Sequence, residues 1–204
     1  VRRALAPLLA LALLLAPASA ADDDTLLPQH FLSDSTAVGD WSTFEARLSF
    51  GEPCAERASV PEKIIVTYRV KAVDANGTSV AVETLPPHER EWETRHFKKG
   101  SKSLRELLGL GASVELSHVR SEQERRTFDD HEVDATHVTF TTREGELVQR
   151  NELWTQPIGM GLRILALSTR VISGPTPRLN LEMELRGYGS ADKTMWGRTA
   201  EELK

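Results

Sequence analysis

Along most of the chain, apolar and polar positions alternate with a period of two, the spacing of strands rather than helices. In GDWSTFEARLSF (39–50), Phe44, Ala46, Leu48 and Phe50 share one face, with Trp41 at the entry. EKIIVTYRVKAV (62–73) sets Ile64, Val66, Tyr68 and Val70 against Ile65, Thr67, Arg69 and Lys71. Asp74-Ala75-Asn76-Gly77 follows, and TSVAVETL then resumes the alternation. Asn-Gly between two such runs predicts a hairpin, because both residues tolerate positive φ. Further strands are expected at 112–120, 136–143, 146–154, 162–172 and 178–188. Arg143-Glu144-Gly145 would join one pair, and Ser173-Gly174-Pro175-Thr176-Pro177 another. In the last strand Leu179, Leu181, Met183 and Leu185 oppose Asn180, Glu182, Glu184 and Arg186, giving one buried and one wet face. Consecutive strands without crossover helices predict a mainly β protein: a single curved antiparallel meander, half-barrel or barrel-like, of about eight or nine strands.

Two stretches break the alternation. PPHEREWETRHFKKG (86–100) is charged and is expected to be a loop or an irregular edge strand. SKSLRELLGLG then predicts the one short helix. Ser103 caps it, Glu106 completes a capping box, Gly109 or Gly111 ends it, and Leu104, Leu107 and Leu108 share a face. The second break is NELWTQPIGMGLRI (151–164). Pro157 cannot donate to a ladder, while Gly159 and Gly161 permit a sharp turn. Trp154 continues the polar parity of Val148, Arg150 and Glu152. It is expected either to tuck into a sheet corner or, with Pro157, Ile158 and Met160, to form an apolar lip that touches a ligand or partner.

The amino terminus removes residues from the fold. Arg2 and Arg3 precede an apolar run, and Ala18-Ser19-Ala20 has the small-x-small pattern cut by a signal peptidase. Residues 1–20 are therefore read as a signal peptide, 21–37 as a flexible segment, 38–189 as a β-rich domain and 190–204 as a tail. The apolar run contains Pro7 and falls short of the ~20 residues needed to cross a bilayer, so the protein is expected to be periplasmic or secreted and not membrane-spanning after cleavage. Formal net charge is −5, and losing Arg2 and Arg3 makes it more negative, which argues against nucleic acid as a partner. Cys54 is the only cysteine, so no intramolecular disulfide is possible.

Candidate chemistry is sparse. There is no Gly-x-Ser-x-Gly, Walker loop or dinucleotide fingerprint, and Cys54 has no adjacent histidine to activate it. His131 and His137 share a parity among Asp129, Asp130, Glu132 and Asp134. Residues six apart on a strand are nevertheless ~20 Å apart, too far to share an ion. An acidic solvated turn before strand 136–143 is the expected reading. No catalytic residue, metal or cofactor is assigned, and a hydrolase without a recognisable motif is the remaining enzyme reading.

The carboxy-terminal half carries a resemblance. RTFDDHEVDATHVTF, the Trp segment with its Pro-x-Gly turn, and LEMELRGYG resemble an arrangement in exported bacterial β-rich proteins. Its outline is similar to the half-barrels of LolA/LolB-type periplasmic lipoprotein carriers. Here there is no long plugging helix, and no cysteine stands at the cleavage point. The resemblance implies a non-enzymatic envelope protein binding a lipid or other apolar ligand in a curved groove. The alternative is an envelope protein–protein interaction or assembly subunit. Inward candidates for that groove are Phe44, Leu48, Phe50, Ile64, Val66, Tyr68, Val80, Val82, Val138, Phe140, Leu147, Leu153, Ile164, Leu179, Leu181, Met183 and Leu185, with the mouth near Trp154 to Met160.

Overall fold

A computed structural model describes residues 27–51, 62–85, 94–128, 130–158, 161–174 and 178–203. The expected leader, Cys54 and Met160 lie outside the described residues. The strands are β1 (Trp41–Gly51), β2 (Glu62–Val73), β3 (Gly77–Leu85), β4 (Arg95–Lys98), β5 (Glu115–Phe128), β6 (His131–Glu144), β7 (Leu147–Ile158), β8 (Gly161–Ser173), β9 (Arg178–Ser190) and β10 (Lys193–Gly197). One short helix, α1 (Leu104–Leu108), lies between β4 and β5.

The fold is mainly β, as the alternation implies: one antiparallel sheet, not closed into a barrel. Its order is β4-β3-β2-β1-β9-β8-β7-β6-β5, with β10 added to β9. Two meanders, β1–β4 and β5–β9, thus meet where the first strand pairs with the ninth. That seam is long, running from Trp41 opposite Gly189 to Gly51 opposite Arg178. On its other side β9 is shared, with β8 pairing Leu181–Glu184 and β10 pairing Gly187–Ser190.

The turns follow their residues, with one difference. Asp74 Oδ1 accepts from the N–H groups of Asn76 and Gly77 at 2.7 and 2.9 Å, and neither residue has a positive φ. The side-chain cap replaces the left-handed turn that Asn-Gly suggests. Gly77 is small for a different reason: a Cβ there would lie 2.0 Å from the Phe97 carbonyl oxygen on β4. Gly145, with φ +58°, closes the β6–β7 hairpin. On α1, Ser103 Oγ accepts from the Glu106 N–H, and Gly109 ends the helix at φ +64°.

Two clusters of buried residues make the core, with Ile164 and Leu167 of β8 packed against both. The larger gathers Phe44, Ala46, Leu48, Ile64, Val66, Leu181, Met183 and Leu185, and reaches Phe128 and Trp154. The smaller joins Leu104 and Leu108 of α1 to Val138, Phe140 and Leu153. Leu27 and Phe31 complete it, with Leu32 packed against it. The Leu27 N–H donates to the Lys102 carbonyl at 2.7 Å, and Phe31 packs edge-on against Phe97. The carboxy-terminal segment supplies β10, Trp196 stacks against Tyr188, and Leu203 is buried. No helix among the described residues is long and apolar enough to cross a membrane.

Candidate functional site on the charged face

Register builds the site. Glu45, Glu184, Ala166, Trp154, His137 and Glu122 stand directly opposite one another in a row across β1, β9, β8, β7, β6 and β5. The next row on the same face is Arg47, Glu182, Ser168, Glu152, Thr139 and Arg120. Small residues, Ala166 and Ser168, fall on the central strand β8, flanked by longer side chains on β7 and β9. The result is a trough of about 320 Å³. Arg47, Arg126, Arg170 and Arg186 line it together with Glu45, Glu152, Glu182 and Glu184.

The charges are largely organised among themselves. Glu45, buried at the β1 end, meets Arg47 at 2.7 Å and Lys63 at 3.0 Å. Burial pushes its carboxyl up, but hydrogen bonds from Lys63 and Arg47, with the nearby Arg186 charge, hold it below its ordinary value. Arg186 also meets Glu184 at 3.2 Å. Arg170 and Glu182, both exposed, approach to 3.8 Å.

At the other end stands Trp154, 6% exposed in the middle of β7. One ring face stacks on His137 with centroids 4.5 Å apart and planes 5° apart. The Arg126 guanidinium lies over the indole at 4.1 Å, and Trp154 Nε1–H donates to Glu124 Oε1. The ring thus belongs to the rim of the larger core cluster while a histidine and an arginine cover it on the charged face. His137 in turn faces carboxylates from both neighbouring strands. Its Nδ1 is 3.4 Å from Glu122 and 3.6 Å from Glu124, and its Nε2 is 3.5 Å from Glu152.

The residues expected to form a lip separate. Trp154 belongs to the charged row, whereas Pro157 and Ile158 pair with Leu162 and Gly161 at the closing end of the β7–β8 hairpin. Between them the register shifts at Trp154/Thr155, a bulge that lets β8 bend. By then β7 has left β6, whose pairing ends at Thr155, so among the described residues no strand pairs with the β6 side of Pro157, which has no N–H to donate. A Cβ on Gly161 would lie 2.5 Å from the Ser33 backbone nitrogen, so the amino-terminal segment runs across this hairpin end.

Sequence reasoning placed His131 and His137 apart, and they are apart: His131 packs edge-on against Trp196. It missed the carboxylates around His137, which come from β5 and β7 rather than from Asp129 to Asp134. The expected acidic turn is only the tip of a long hairpin in which Glu122 pairs with His137 and Arg125 with Asp134. The signal available was Asp130, a turn residue whose φ is +66°.

Fold and site together define a class: an open, single-sheet antiparallel β protein with a charged trough across its central strands. Comparison with protein-family models, curated proteins and solved structures gives no match.

Proposed function

We propose that this chain is a non-enzymatic binding protein, exported to the bacterial envelope, that holds a polar ligand or partner segment of mixed charge in the trough. One observation carries the reading: β8 offers Ala166 and Ser168 as a low floor between walls of arginine and glutamate. Such walls can recognise both signs of charge by paired hydrogen bonds. Export rests on the residue pattern of 1–20.

An acyl chain would instead need open apolar surface. The apolar side chains of β1, β2 and β9 expected to line that groove, Phe44, Leu48, Ile64, Val66, Leu181, Met183 and Leu185, are buried in the larger cluster. This favours the trough over the lipid reading.

The test fills the trough. Ser168→Phe is expected to fold with an unchanged melting temperature while losing the partner or ligand that wild-type protein retains when purified from its own envelope. Retention by Ser168→Phe, or saturable binding of a fluorescent fatty acid by the wild type, overturns the reading.

A further inference from the structure

We propose that Glu122, Glu124 and His137 bind a first-row divalent cation of the zinc class, with Glu152 orienting the imidazole from its far side. One ligand atom from each of the first three residues lies within 4.8 Å of the others. Both His137 ring nitrogens are shielded from solvent and neither has a hydrogen-bond partner. A shielded imidazole with two unpartnered nitrogens is costly unless something engages them.

The distances say what fits. At 3.4 and 3.6 Å, the contacts from Nδ1 to Glu122 and Glu124 exceed a good N–H···O hydrogen bond. They match the edge of a tetrahedron instead, since metal bonds of about 2.0–2.1 Å place neighbouring ligand atoms about 3.3–3.4 Å apart. Glu124 is already aimed: its Oε1 accepts from Trp154 Nε1–H, leaving Oε2 toward His137. Stacking on Trp154 fixes the plane of the imidazole. With Glu152 on the Nε2 side, an N–H there leaves the Nδ1 lone pair for the metal, the carboxylate–histidine–metal relay of many zinc sites. Glu122 is 72% exposed, so the cation has a way in, and a fourth position stays open to water. An imidazole ligand selects against calcium and magnesium, which take oxygen.

The test is calorimetric titration of the purified full chain with Zn²⁺, and with Co²⁺ for its visible spectrum. One cation per chain is expected, with a tetrahedral Co²⁺ band and a raised melting temperature. Glu122→Gln, at an exposed position, and Glu124→Gln should each weaken binding at least tenfold, and Glu152→Gln by about 10–100-fold. All three should give wild-type circular dichroism spectra. No saturable binding to the wild type, or binding unchanged by Glu122→Gln and Glu124→Gln, overturns the proposal. In that case His137 serves only to cover Trp154 by stacking. Cation binding is read on the purified chain and trough binding in the envelope, so each can fail without the other.

Discussion

Trp154 is where fold and site share one side chain. Its indole covers the sheet between His137 and Arg126 and anchors Glu124. Trp154→Ala therefore removes a buried aromatic and frees three polar groups, and should cost about 3–5 kcal/mol in urea unfolding. A loss below ~1 kcal/mol would show that the ring is not structural. Glu45 makes a second residue-scale prediction. Because its folded-state pKa is lowered, its stabilisation is complete above the unfolded value of about 4.3 and disappears as pH falls through the folded one. Thermal melts from pH 7 to pH 3 should fall less steeply for Glu45→Gln than for the wild type below about pH 4.5. Parallel acid limbs would contradict the assignment. Parity alone placed Trp154 on the polar side of its strand, and that reading holds. What covers it could not be read, because Arg126 and Glu124 reach it from a strand two positions away in the sheet.

Elements were legible where burial enforced the period. In β1 and β9 one face enters the core, so Phe44, Ala46 and Leu48, and Leu181, Met183 and Leu185, recur at every second position with charged residues between. The outer half of β5 and the start of β6 were not legible, for a physical reason. Most of β5 is exposed at a sheet edge, so charged residues such as Arg125, 3.0 Å from Asp134, interrupt the apolar period, and the hairpin enters the larger core cluster near its tip, through Phe128, Val133 and Ala135. Charges on that edge also discourage pairing with other chains. The helix was legible because its signals are local: Ser103 and Gly109 act within a few residues of themselves. Gly77 tests the opposite edge. Gly77→Ala would drive a Cβ into the Phe97 carbonyl, cost about 1–3 kcal/mol, and speed amide exchange across β3–β4 while leaving β6–β7 protected. Unchanged exchange at Thr78 and Phe97 would mean that the close approach is not structural.

At the scale of the molecule, the first strand completes the sheet begun by the last meander. The expected antiparallel meander forms one sheet in which its two runs, β1–β4 and β5–β9, join along β1–β9, and α1 with the amino-terminal segment packs on β6, β7 and β8. Closing that seam aligns Glu45 and Arg47 with Glu184 and Glu182 and so completes the trough. No single segment contains its walls, which is why a reading by segments looked for the site at the Trp154–Met160 turn. The central claim is that binding belongs to this charged face. Its most direct measurement is a photoreactive side chain introduced at Ser168 in intact cells, with Val73, 45% exposed at the end of β2, as the control position. The trough reading requires a discrete cross-linked product from Ser168 and none from Val73. A product from Val73 alone, or none from Ser168, would contradict it.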